Sequence, residues 1–208
     1  MERLLNVPMI LASTSPRRIE LLQQMNFQFE VVPPSSDEKR LPGEAPRAMV
    51  RRLAIDKAQS VTTRVMASTG GGLIIAADTI VVAPNGKTVL GKPENVAEAA
   101  KMLKMLAGRT HTVFTGYCVL AVARGMDTER VVRVVMSRVK MRSLSARDIS
   151  QYIKTGEPMD KAGSYAAQGV GMALIEGITG SYTNVVGLPM CQLLLDLEKK
   201  FSITPWDG

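Results

Sequence analysis

The segment Leu73 to Ala83 constrains this chain more than any other. It is the longest apolar stretch, it is interrupted by one ionisable residue, Asp78, and it falls well short of the ~20 residues of a membrane span. Gly70–Gly71–Gly72 breaks the chain before it, and Asn85–Gly86 gives a hairpin turn signal after it. A continuous apolar run between such signals reads as a strand buried on both faces. An ionised carboxylate in such a strand costs on the order of several kcal/mol unless it is paired or binds a metal. Either neighbouring N–H groups satisfy Asp78, or the end of the strand opens on a cleft.

The rest of the chain alternates short apolar runs with longer amphipathic ones. Strands are expected at Met9–Ala12, Phe27–Val32, Thr110–Ala123 and Arg130–Arg142, the last two around a turn at Arg124–Asp127. Helices are expected over Pro16–Met25, Pro46–Met66, Asn95–Leu106, from Ser145 to near Gly156, and from Leu188 to Phe201. Pro33–Glu44 is polar and proline-bearing, which marks a loop. Met172–Ile178 and Ser181–Val186 read as a hairpin around Gly180. This mixture of βα units and antiparallel pairs predicts an α/β fold with a mixed sheet. There is no internal repeat.

Met9–Ala12 is followed by Ser13-Thr14-Ser15-Pro16-Arg17-Arg18. Ser15 suits the N-cap and Pro16 the first helical turn. Backbone N–H groups at a helix start attract anions. Two arginines there oppose the helix dipole, a cost that a bound anion would offset. The competing reading is a capped helix with solvated arginines. The segment is neither a P-loop nor a dinucleotide fingerprint.

Lys57 is as misplaced as Asp78. It falls within the apolar stripe Val50, Leu53, Ala54, Ala58 and Val61 of the long helix, either as a functional cation or as a lysine snorkelling at the edge. Lys92 in Gly91-Lys92-Pro93 and Glu38 in Ser36-Asp37-Glu38-Lys39 read, on their own, as ordinary loop residues. His111 reads as structural. The stretch Gly156–Gly171 is rich in glycine, which permits close approach of backbone to a ligand, and Gln168 there offers a donor and an acceptor suited to a nucleobase edge. A structured surface loop explains the same residues. Asp160 and Lys161 are expected to form a local ion pair.

Composition narrows the classes. The chain of 208 residues is 46% hydrophobic and 22% charged, enough for a core and unlike a disordered chain. Its net charge of +7 favours anionic partners without choosing among them. One histidine and two cysteines exclude a histidine-rich metal site, a zinc cage and a disulfide framework, so a reduced, cytoplasmic protein is expected. Met1–Leu11 carries Glu2 and Arg3 and makes a poor signal peptide.

Taken together, Leu11-Ala12-Ser13-Thr14-Ser15-Pro16-Arg17-Arg18, Ala77-Asp78-Thr79-Ile80-Val81, Gly91-Lys92-Pro93, Glu157-Pro158-Met159-Asp160-Lys161-Ala162-Gly163 and Val186-Gly187-Leu188-Pro189 resemble the Maf family of nucleoside triphosphate pyrophosphatases over almost the whole chain. The resemblance implies one domain over residues 1–208, an elongated mixed sheet flanked by helices with two lobes around a cleft, as in inosine triphosphate pyrophosphatases. It implies hydrolysis of a nucleoside triphosphate to monophosphate and pyrophosphate with Mg²⁺ or Mn²⁺, and a homodimer, since the family often dimerises.

Residue by residue, Asp78 matches the family's proton acceptor. Ser13, Arg18, Glu38, Lys57 and Lys92 match its other site residues. With these assignments, Glu38 and Asp78 would hold the metal, and Ser13, Arg18, Lys57 and Lys92 the phosphates. Arg17, Thr79 and Gln168 match positions that track substrate choice. Relatives acting on 7-methyl-GTP resemble Ser-Pro-Trp-Arg at the first position, with Gln after the aspartate and Glu in place of Gln168. The residues here follow the pattern of relatives acting on dTTP, UTP and modified pyrimidine triphosphates. Ala166–Ala167 departs from the family's more usual Gly-Ile. Two alternatives remain: a pyrophosphatase for 7-methyl-GTP or other modified purines, and a basic nucleic-acid-binding regulator, which a recognition motif and aromatics would accompany and which neither supports here.

Overall fold

The computed structural model describes residues 8–125 and 128–206. Residues 1–7 of the N-terminal segment lie outside the described residues, as do Met126 and Asp127 of the expected turn. The elements in chain order are β1 (Met9–Ala12), α1 (Pro16–Gln23), β2 (Glu30–Val31), α2 (Pro46–Thr69), β3 (Gly71–Val82), β4 (Val89–Leu90), α3 (Val96–Leu106), β5 (Thr110–Ala123), β6 (Glu129–Met141), α4 (Ala146–Lys154), β7 (Ile175–Thr179), α5 (Tyr182–Val186) and α6 (Met190–Phe201).

The strands form a 7-stranded sheet in the order β2-β1-β3-β5-β6-β7, with β4 paired to β3. Parallel pairs flank β1, with Leu11 opposite both Val31 and Ile75. Parallel neighbours need a crossover, which α1 supplies between β1 and β2, and α2 between β2 and β3. β3 and β4 close an antiparallel hairpin, where the Asn85 side-chain oxygen accepts from the Lys87 and Thr88 amides. The sheet is therefore mixed, as expected.

The chain divides into two compact units. One comprises the described residues of Met1–Asp78, Thr115–Val134 and Gly187–Gly208; the other is Thr79–Phe114 with Val135–Val186. In the first, α2 covers β1, β3 and β5, with Ala54, Ala58, Val61 and Val65 packed on Ile10, Ile74 and Cys118. The approach is close at Gly116, where a Cβ would lie 2.3 Å from the Val50 carbonyl oxygen. In the second, α3 and α4 pack Leu103, Leu106, Ile149 and Tyr152 against Val113 and Val139. Asn95 caps α3 by accepting from the Glu98 amide, and Ser145 forms a capping box with Asp148 at α4. Both cysteines are free, Cys118 in the first core and Cys191 exposed.

Two expectations are corrected. Only Glu30–Val31 of the segment 27–32 forms strand, paired with Ile10 and Leu11 of β1. Residues 172–186 do not form a hairpin. β7 instead joins the edge of β6, with Val139 opposite Ile178, and Tyr182–Val186 is helical. The Ser181 hydroxyl accepts from the Asn184 amide at the start of that helix, and buried Asn184 donates to Val113 O and Ser137 Oγ. Short apolar runs carry no period that separates helix from strand, and here an available strand edge and a buried asparagine decide.

Candidate active site

The turn after β1 places Ser13 in the interior of the first unit. Its hydroxyl accepts from the Ser15 amide at 3.1 Å and from Arg18 Nη1 at 3.4 Å. Ser15 occupies the N-cap position of α1 and Pro16 the first turn, but the Ser15 hydroxyl makes no capping bond. The guanidinium of Arg18 turns inward, 9% exposed, with Nε donating to the Gly187 carbonyl at 2.8 Å. Burial pushes its pKa below the ordinary value; Asp78 opposes that shift, Arg17 adds to it and Glu38 opposes it. Arg18 is thus no solvated surface arginine.

Lys57 does not snorkel. It lies in the buried stripe of α2, 5% exposed, and its Nζ donates to Asp78 Oδ1 at 2.7 Å. The same Nζ lies 2.8 Å from Glu38 Oε1, a carboxylate whose side chain is 62% exposed. Asp78 is 6% exposed, so its charge is balanced by an ammonium and not by water. One cation therefore holds two carboxylate oxygens within two hydrogen-bond lengths of each other, one from the buried strand and one from the loop. Ser13, Arg17, Arg18, Glu38, Lys57 and Asp78 all belong to this unit.

Thr79, Lys92 and Gln168 belong to the second unit. Thr79 follows Asp78 along β3 and is half-buried, its side chain on the opposite face of the strand. Lys92 is exposed, and the Gly91 carbonyl beside it accepts from the Gly163 amide at 3.0 Å. That bond joins two motifs far apart in sequence. Gln168 is half-buried and follows buried Ala166 and Ala167. Asp160 and Lys161 form the expected ion pair. His111 is structural as expected: it is buried, hydrogen-bonded through Nε2 to the Tyr165 hydroxyl at 2.7 Å and packed edge-on to that ring.

A family model described as Maf-like protein matches residues 8–200. This chain belongs to the Maf family. It is 43% identical over 199 residues to a dTTP/UTP pyrophosphatase of Clostridioides difficile (strain 630), spanning 96% of this chain and 98% of that one. A dTTP/UTP pyrophosphatase of Geobacter sulfurreducens is 44% identical over 193 residues, spanning 91% and 95% respectively. The solved Staphylococcus aureus Ham1 protein shares 13% identity and a TM-score of 0.43 over 93% of this chain and 99% of that one.

The Maf chain offers a divalent cation a partial shell, not a cage. Among the described residues no group of three or more His, Cys, Asp or Glu side chains could hold a metal. Mg²⁺ commonly takes one or two carboxylates and completes its shell with substrate phosphate oxygens and water. Glu38 and Asp78, hard oxygen donors gathered on Lys57, fit that requirement. Among the described residues no helix is long and apolar enough to cross a membrane.

Sequence reasoning did not assign three anchoring groups that the structure shows. Gly187, within the Val186–Pro189 motif, holds Arg18 through a backbone carbonyl, which no side-chain pattern reveals. Asp196 sits buried in α6 between Leu193 and Leu197, accepting from Tyr117 Oη at 2.5 Å and Arg133 Nε at 2.9 Å. The signal that exposed Asp78, an acid inside an apolar stripe, was present there too. Glu157 binds three donors around the Gln168 segment; it opens one of the motifs that carry the family resemblance, but no local pattern reveals those partners.

Proposed function

We propose that this Maf-family chain is a cytoplasmic nucleoside triphosphate pyrophosphatase acting on dTTP, UTP and modified pyrimidine triphosphates, releasing the monophosphate and pyrophosphate. One observation carries the reading: a buried lysine, Lys57, holds Asp78 and Glu38 together beside an inward-turned Arg18. The names of the relatives at 43% and 44% identity support the substrate class.

Water attacks the α-phosphorus, the bond from that phosphorus to the α–β bridging oxygen breaks, and the pair of electrons leaves with pyrophosphate. Asp78 orients the water and accepts its proton. Arg18, Lys57 and Lys92 neutralise the triphosphate and the charge that grows on the departing group. Ser13 and the start of α1 hold one phosphate. Glu38 and Asp78 would hold Mg²⁺ or Mn²⁺, which would supply positive charge against the phosphates and make water more acidic. Arg17, Thr79 and Gln168 set the choice of base. No covalent nucleophile is required, since positioning and electrostatics suffice for this reaction.

The test is a panel of standard and modified triphosphates with Mg²⁺ or Mn²⁺, reading both pyrophosphate and orthophosphate. Pyrophosphate release that is fastest with dTTP and UTP is expected. Faster turnover of 7-methyl-GTP or inosine triphosphate would replace the substrate class. Tight, steeply salt-dependent DNA binding without turnover would replace the enzyme altogether.

A further inference from the structure

Glu157 follows α4 and opens a short 3-10 turn, Glu157–Asp160. Both of its carboxylate oxygens are taken up by hydrogen bonds within the second unit. Oε2 accepts from Tyr152 Oη at 2.6 Å and from the Gly171 amide at 2.7 Å, and Oε1 accepts from the Val170 amide at 3.0 Å. Tyr152, buried on α4, accepts in turn from the Ala166 amide at 3.1 Å. A carboxylate and a phenol thus bind backbone on both sides of Gln168: Ala166 before it, Val170 and Gly171 after it. Hydrogen bonds to an ionised acceptor are about twice as strong as neutral ones.

The segment also lies closer to these two side chains than any residue but glycine allows. A Cβ at Gly169 would fall 2.1 Å from Glu157 Oε1, and φ there is +64°. One at Gly171 would fall 2.6 Å from Tyr152 Oη and 2.4 Å from the Ala166 carbonyl oxygen. The Ala167 carbonyl accepts from Tyr182 Oη at 3.2 Å. The backbone on either side of Gln168 is therefore pinned from several directions, while Gln168 itself stays half-buried.

We propose that Glu157 and Tyr152 are positioning residues for base selection: they fix the 166–171 backbone so that the Gln168 amide meets the base in one orientation. The inference rests on Gln168 reading the base. Holding a recognition group in its bound geometry beforehand lowers the cost of ordering it on binding. Loosening the segment therefore weakens pyrimidine binding without touching the groups that move protons or phosphate.

The test compares Tyr152→Phe, Glu157→Gln, Gln168→Ala and the double variant Tyr152→Phe/Gln168→Ala, in kcat and KM for dTTP and GTP, alongside amide hydrogen exchange of residues 166–171. Tyr152→Phe keeps the ring and the core, so it serves if Glu157→Gln does not fold. Expected are faster exchange at Ala166, Val170 and Gly171 and a dTTP-to-GTP ratio of kcat/KM lowered about tenfold, chiefly through the dTTP KM; the size follows from one or two weakened hydrogen bonds. In the Gln168→Ala background, Tyr152→Phe adds no further loss of selectivity. An unchanged ratio in Tyr152→Phe beside a lowered one in Gln168→Ala overturns the positioning role alone. An unchanged ratio in Gln168→Ala overturns base reading by Gln168, and this inference with it.

Discussion

Lys57 and Asp78 form a buried ion pair, Nζ to Oδ1 at 2.7 Å, between α2 and β3. Each is a charge set in an apolar stripe, and each removes the other's penalty. Taking two charges from water is offset only when their geometry is good and their remaining bonding capacity is filled. Glu38, reaching the same Nζ from a loop, supplies part of that filling.

Asp78→Asn is expected to lower dTTP turnover by about 10²–10⁴-fold, the range for loss of a general base. The fold survives, because Glu38 remains to balance Lys57. A pyrophosphate-release assay with a circular-dichroism melt checks both halves. Wild-type rates in the variant would remove the proposed mechanism.

Lys57→Met reverses the emphasis. It leaves Asp78 charged and buried without its ammonium, so stability falls by about 3–5 kcal/mol, as for a buried pair that loses one partner. Urea unfolding measures this. A loss under 1 kcal/mol would mean that Asp78 finds solvent, contrary to its 6% exposure.

Gln168→Glu keeps size and removes the amide donor. Turnover of dTTP and UTP should fall more than stability does, with the substrate profile shifted away from pyrimidines. A panel of nucleotides against the melting temperature separates the two effects, and an unaltered profile counts against base reading.

His111 links stability to pH. Burial lowers its pKa from 6.5 to about 4. Its Nδ1 has no hydrogen-bond partner among the described residues, so a second N–H would have none either. As pH falls below 6.5 the unfolded chain takes up this proton, while the folded chain resists until about 4. The stabilisation is therefore complete above 6.5 and is lost between 6.5 and 4, a change on the order of 3 kcal/mol. His111→Gln should flatten that window in urea titrations at successive pH values; parallel curves for the two proteins would show that His111 does not titrate there.

Periodicity and turn chemistry made much of the fold legible. The apolar run of β3, the stripe of α2, the start of α3 near Asn95 and the Ser145 start of α4 all fall where the residues put them. Each is a local signal, since neighbours along the chain settle it. The edge strand β2 and the segment 172–186 were not legible, because pairing with β1 and β6 decides them and no nearby residue encodes that choice.

The site divides the same way. The amino-acid sequence by itself determined that Asp78 and Lys57 are charges in apolar surroundings and therefore need partners. Only the tertiary structure decided that they are each other's partner, that an unremarkable loop acid, Glu38, joins them, and that a glycine carbonyl holds Arg18. A desolvation cost is a property of a residue and its near neighbours, readable from the pattern. What offsets that cost is a contact between segments distant in sequence, and it exists only once α2 has packed across the sheet.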